Sequence, residues 1–161
     1  MSIRLSQIVL VALLGVYGIM NCLNNILDPQ ANLVFVEKIM GMEDIFPNNP
    51  QAWRGVSHPV LQRIGFGLIV MMELFTGLFC LAGSYQMFRS RDVSADLFDQ
   101  AKKWARLGIV LGIVLWFGGF VIAGGEWFLS WQSENFDGVE LGMRNGIFYL
   151  GVLIFVSLGS L

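Results

Sequence analysis

One carboxylate stands in the middle of a long apolar run: Glu73, within Val70-Met71-Met72-Glu73-Leu74-Phe75. An ionised carboxylate in hydrocarbon costs roughly 2.5 to 3.5 kcal/mol on insertion scales, so this group must be protonated, paired or wetted. Two kinds of chemistry follow. Glu73 is either a proton or cation site, or a neutral glutamic acid hydrogen-bonded across helices, with Asn21 or Thr76 as the expected partner. A proton path generally needs a relay, and no second carboxylate is expected at that depth.

A second constellation gathers where the apolar runs end. Asn21, Asn24, Asn25 and Asp28 close the first run, and Trp53 and Arg54 sit in the loop that follows. Arg63 opens the second run, Glu126, Trp127, Trp131 and Gln132 close the third, and Arg144 begins the fourth. Ion pairs of Arg54 or Arg63 with Asp28, and of Arg144 with Glu126, would neutralise this layer. It serves either as a collar tying the loop to the helices or as an outward pocket for a lipid headgroup or a partner subunit.

Other chemistry finds little support. Cys22, Cys80 and the lone His58 share no metal-ligand spacing, and no phosphate loop, nucleophile elbow, zinc-protease motif or haem-attachment motif occurs. No catalytic residue, no metal and no cofactor is therefore expected. The net charge of −2, with no basic patch, argues against nucleic acid as a partner.

The elements that would position these groups are read from hydropathy. Of 161 residues, 55% are hydrophobic and only 14% charged, with a mean hydropathy of +0.65, against roughly a quarter charged in soluble domains. Apolar runs cover about 5–26, 60–84, 105–128 and 142–161, each about the 20 residues needed to cross a hydrocarbon core as a helix. The alternation that barrel strands need is absent. The first run follows Arg4 as a secretion signal would, yet it continues to Asn25 without a small-residue cleavage site and reads as a retained helix.

Basic residues set the expected direction. Arg4 falls on one side with Arg89, Arg91, Lys102, Lys103 and Arg106, which predicts that both termini are cytoplasmic. Outer loop 27–59 looks structured: Asp28-Pro29 can start a helix that ends at Gly41, and Asn49-Pro50 and His58-Pro59 repeat the start signal. Inner loop 85–104 suggests a short amphipathic helix around Leu97, Phe98 and Ala101. Gly108, Gly112, Gly119 and Ala123 fall on one stripe at α-helical spacing, the predicted packing face of the third helix. The expectation is an all-α integral membrane protein: a single domain, 1–161, forming an antiparallel four-helix transmembrane bundle with a structured outer loop between its first two spans.

Asn24-Asn25, Phe35-Val36, the Phe46-Pro47 turn, Trp53-Arg54, Glu73, and above all Gly124-Gly125-Glu126-Trp127-Phe128 followed by Trp131-Gln132, carry a further signal. On these residues the chain resembles, over nearly its whole length, a bacterial family of predicted small integral membrane proteins, a domain of unknown function. The resemblance implies four helices in a bacterial inner (cytoplasmic) membrane, and it supplies no substrate, cofactor or activity.

Three functions fit these readings. The favoured one is a non-enzymatic accessory or docking subunit, in contact with membrane lipids and with a larger membrane protein or further copies of itself. The alternative is a small transporter or proton-coupled unit using Glu73. A third is a lipid-modifying enzyme at the outer headgroup layer, with Glu126 or Asp28 as acid or base.

Overall fold

The computed structural model describes residues 3–158. In chain order its helices are α1 (Ile3–Leu27), α2 (Pro29–Gly41), α3 (Pro59–Arg89), α4 (Ala95–Ala101), α5 (Lys103–Ile113) and α6 (Val139–Ser157), with single 3-10 turns at Ala52–Arg54 and Ser130–Gln132. No strand occurs among the described residues. Among the described residues, four helical stretches are long and apolar enough to cross a membrane: α1, α3, the continuous piece Lys103–Trp127, and α6. The expectation of an all-helical membrane protein holds. The end of the fourth expected run, beyond residue 158, lies outside the described residues.

Apolar side chains gain little by leaving lipid for protein, so close backbone approach has to hold such helices together. Glycines provide it. A Cβ on Gly18 would stand 2.8 Å from the Gly77 backbone nitrogen, and one on Gly83 only 2.2 Å from that of Ala105. Contacts between α1 and α3 run in opposite senses along the two helices: the Ser84 hydroxyl donates to the Ile8 carbonyl at 3.0 Å, Gly15 meets Leu81 and Gly18 meets Gly77. The core formed at these contacts includes Val11, Cys80, Ile109, Trp116 and Tyr149.

The third span departs from the α-helical stripe read in the sequence. From Val114 to Trp127 it winds as a π-helix, with i→i+5 bonding that adds about one residue per turn. Phe128 N–H donates to the Ala123 carbonyl at 3.0 Å to close it. The wider winding rotates the faces beyond Ile113. Gly108 and Gly112 pack tightly, against Cys80 and the Tyr149 ring, but Gly119 and Ala123 turn outward while Leu115, Trp116, Gly124 and Gly125 are buried.

The first loop is tied down by hydrogen bonds. Pro29 opens α2, whose fixed φ suits the first helical position, although the Asp28 carboxylate makes no capping bond. His58 likewise stands at the N-cap of α3 without a side-chain cap. Val56 N–H donates to the Met40 carbonyl at 2.6 Å, and the Gln62 amide donates to the Val56 carbonyl at 2.9 Å. Gln132 Oε1 accepts from Phe46 N–H at 3.1 Å and from the Asn49 amide at 3.0 Å, joining this loop to the one before α6.

A second tie between those loops is pH-sensitive. Ser133 Oγ donates to Asp44 Oδ2 at 2.6 Å and accepts from Phe136 N–H at 2.8 Å. Chiefly through this hydroxyl, the Asp44 carboxyl is held below the usual carboxylate range. A depressed carboxyl stabilises the fold above the unfolded value of about 3.9, and that contribution fades as pH falls through the folded value. Ser133→Ala should therefore move the Asp44 titration, followed by carboxyl NMR, upward towards about 3.9; an unmoved titration would show that the hydroxyl is not the cause.

At the other end of the bundle the second loop folds back on α1. Arg4 Nη1 donates to the carbonyls of Arg91 at 2.8 Å and Val93 at 2.6 Å, and its guanidinium lies 4.9 Å from the Phe98 ring centre. Phe98 is wholly buried, as the short amphipathic helix α4 requires. The last turn of α6 leaves carbonyls without helical partners. The Gln7 amide donates to Phe155 O at 2.8 Å, and Lys102 Nζ donates to Leu158 O at 3.4 Å. Lys102 is 0% exposed; burial pushes its amine below the usual lysine range, against the pull of Asp99. Asp99 in turn is held low, first by its two bonds from Arg106, at 2.7 and 3.3 Å.

Candidate functional site

On α1, Tyr17, Asn21, Asn24 and Asn25 recur at spacings of three, four and eight residues, the pattern that places side chains on one face of a helix. On α3, Phe66, Ile69 and Glu73 do the same. The two faces meet over a cleft of about 280 Å³, closed by Asn32, Phe35 and Val36 from α2, Trp116 and Phe120 from the π-helix, and Leu141 from α6. Its volume lies just below the small end of the roughly 300–1,000 Å³ typical of small-molecule sites.

Glu73 brings a carboxylate to this cleft. It is 4% exposed, and its Oε2 accepts from Asn25 Nδ2 at 2.7 Å. Asn25, rather than Asn21 or Thr76, is thus its partner. Asn25 lies two residues from the end of α1, so Glu73, although near the middle of its own helix, lies towards the first-loop end of the bundle. From the Gly18–Gly77 contact α1 continues only 9 residues to Leu27 while α3 reaches back 18 to Pro59, so α3 outruns α1 at the first-loop end and position along it misjudges depth.

Around that bond several polar atoms are left over. Asn25 Oδ1 and Asn21 Nδ2, both of the cleft lining, are buried and have no hydrogen-bond partner; outside the lining the same is true of the Thr76 hydroxyl, one turn along α3 from Glu73. A buried unsatisfied polar atom costs about 1–3 kcal/mol, so such a cluster marks either a strain reservoir or a place for a ligand. Among the described residues, no second carboxylate and no lysine, arginine or histidine lines the cleft. The rings are close together: Trp116 and Phe120 lie 4.8 Å apart between centres, and Tyr17 and Trp116 6.2 Å.

A separate groove of about 300 Å³ lies on the far side of Ile69 and Phe120, lined by Met40, Leu68, Met72, Ala123 and Phe128 among others, and is almost wholly apolar. Among the described residues, no three of His, Cys, Asp and Glu gather to hold a metal. Cys22 and Cys80 are both free and buried.

The outer layer assembles differently from the ion-paired collar expected. Among the described residues, neither Arg54 nor Arg63 pairs with Asp28, and Arg144 does not pair with Glu126; the ion pairs are Lys38–Glu43, Arg91–Asp92, Lys102–Asp99 and Arg106–Asp99. Asp28, Arg63, Glu126 and Arg144 are all exposed, where a salt bridge gains little. Aromatic contacts take over. The Arg54 guanidinium stands 4.9 Å from the Trp127 ring and 5.9 Å from that of Trp53, the two indoles meet edge-on at 6.3 Å, and Phe46 meets Trp131 at 5.9 Å.

Of the residues singled out from sequence, the cleft thus unites Glu73, Asn21 and Asn25, and leaves Asp28, Trp53, Arg54, Arg63, Glu126, Trp127, Trp131, Gln132 and Arg144 outside it. Phe35 and Val36, which carry the family resemblance, also line it, whereas Tyr17, Asn32, Phe66, Trp116 and Phe120 are lining residues that the sequence reading does not single out. Tyr17 shares the spacing of the asparagines, and Trp116 is a tryptophan far from either end of its span; those were readable signals. Asn32 carried none.

Among the described residues, four helices long and apolar enough to cross a membrane, with one buried carboxylate in a polar cleft between them, define an integral membrane protein. Within that class, the chain belongs to the family described as predicted small integral membrane protein (DUF2165), which it matches over residues 3–159. No curated protein and no solved structure matches it.

Proposed function

We propose that this protein is a non-enzymatic, proton- or cation-coupled unit of the bacterial inner membrane, with both termini cytoplasmic and Glu73 as its working group. The observation that carries the reading is the Glu73–Asn25 bond inside a cleft lined by no other carboxylate and no lysine, arginine or histidine. A protonated Glu73 is neutral and still accepts from the amide; an ionised one calls for a cation beside it. Competition between a proton and a cation for one carboxylate is the elementary device of exchange.

In proteoliposomes carrying an imposed pH gradient, the parent protein should dissipate the gradient and Glu73→Gln should slow this by at least about tenfold, the effect of removing a group that must change charge. Glutamine keeps an acceptor for Asn25, so the variant should retain its melting temperature. A parent without flux would remove the proposal. Orientation is checked by cysteine labelling: a cysteine at Asn48 should react with an impermeant maleimide added to intact cells and one at Asp92 should not, and the reverse pattern would invert the topology.

A second reading, an accessory subunit docking a larger membrane protein or another copy of itself, is supported by the Trp53–Arg54–Trp127 stack, in which Trp53 is 74% exposed. Exposed aromatic and arginine anchors are the residues on which interfaces concentrate energy. Trp53→Ala should then lose a partner that copurifies stoichiometrically with the parent in mild detergent; a parent that purifies as a lone monomer would end this reading.

A further inference from the structure

We propose that the Glu73 cleft is a binding site for a small organic ammonium ion that carries an oxygen acceptor within a few bonds of its nitrogen, the chemistry of ethanolammonium. This rests on the reading of Glu73 as a cation site and names the class of cation. Three observations combine.

The first is charge. Glu73 is the lone carboxylate of the cleft, unaccompanied by any basic side chain, so a cationic ligand supplies the counter-charge that the fold itself omits.

The second is the unsatisfied pair. Asn25 is more than nine-tenths buried and its Oδ1 has no donor; Asn21 Nδ2, one turn away on the same face, has no acceptor. An ammonium has N–H donors for both Glu73 and Asn25 Oδ1, and a neighbouring ligand oxygen accepts from Asn21. A bare metal ion would leave the Asn21 donor unanswered.

The third is the wall. Tyr17, Phe66, Trp116 and Phe120 line the remainder of the cleft, and aromatic faces attract organic ammonium ions, which shed water more easily than small inorganic cations. Exposed Asn24 and Asn32 stand among the lining residues and give the cleft a polar mouth. The ligand chemistry has two sources, free amino alcohol or the headgroup of phosphatidylethanolamine.

The test uses the full chain in maltoside micelles at pH 7 and constant ionic strength, titrated with ethanolammonium chloride and read by calorimetry and by tryptophan fluorescence. Saturable binding at about millimolar concentration or tighter is expected, with neither ethylene glycol, the neutral counterpart, nor potassium displacing it at equal concentration. Glu73→Gln should weaken binding at least about tenfold, as loss of a buried counter-charge requires, and Phe66→Leu about threefold.

Absence of saturation, or ethylene glycol binding as well as the ammonium, overturns the proposal, and both comparisons need only the parent protein should a variant fail to fold. Repetition in nanodiscs separates the sources: free ethanolammonium that binds in phosphatidylglycerol discs but is excluded from phosphatidylethanolamine discs assigns the lipid headgroup, and equal binding in both assigns the free solute. Gradient dissipation that depends on Glu73 without ammonium binding removes this inference alone. Ammonium binding without any flux retains it and removes the coupled-transport reading.

Discussion

Gly83→Val should unfold the bundle or lower its stability by about 3 kcal/mol or more, the upper end for forcing bulk into a packed core. At this position α3 and α5 touch backbone to backbone. A Cβ would stand 2.2 Å from the Ala105 nitrogen and 2.5 Å from its Cα, and a neighbouring backbone cannot swing aside as a flexible side chain can. Valine at Gly151, where nothing lies within 4 Å of the added carbon, is the matched control and should fold like the parent. Thermal unfolding in micelles with intrinsic fluorescence as readout compares the two. Equal stability of both variants would mean that α3 and α5 are not packed as described.

The second large effect is expected at Asn25. Asn25→Leu removes the hydrogen bond at 2.7 Å to Glu73 and leaves a carboxyl that is 4% exposed beside a new apolar surface. Leaving one member of such a pair buried costs about 1–3 kcal/mol when it is neutral and about 3–5 when it is charged. Removing both members should cost less than the sum of the single changes, because the double variant Asn25→Leu/Glu73→Leu strands no polar partner. Additive losses across the cycle would show that the two side chains do not interact. The cycle also reports on charge: a penalty that grows on raising the pH identifies an ionising Glu73.

Much of the fold was legible because membrane spans are encoded by length and hydropathy, which survive any detail of packing. Leu5 to Asn25 or Val60 to Ser84 can hardly be anything else in lipid. Side-chain partners were less legible. The middle of α3 is not the middle of the bundle, because α3 begins at Pro59, well beyond the Leu27 end of α1, and the carboxylate of Glu73 meets Asn25 rather than Asn21. The packing stripe of the third span assumed α-helical spacing, and neither Gly118-Gly119 nor Gly124-Gly125 announces the change of winding at Val114. Charges near a water interface invite pairing on paper; the structure instead lets Asp28, Arg63, Glu126 and Arg144 stay hydrated and places the Arg54 guanidinium against indoles. Pairing exposed ions returns little, whereas an aromatic face attracts a guanidinium electrostatically.

The grip of Gln7 and Lys102 on the carbonyls of Phe155 and Leu158 has a consequence for the order of assembly. During synthesis both gripping side chains leave the ribosome before the carbonyls they serve, so this clasp closes only once α6 has been inserted. Until that moment the Gln7 amide has to find water or a lipid headgroup, since a polar group left bare in hydrocarbon is costly.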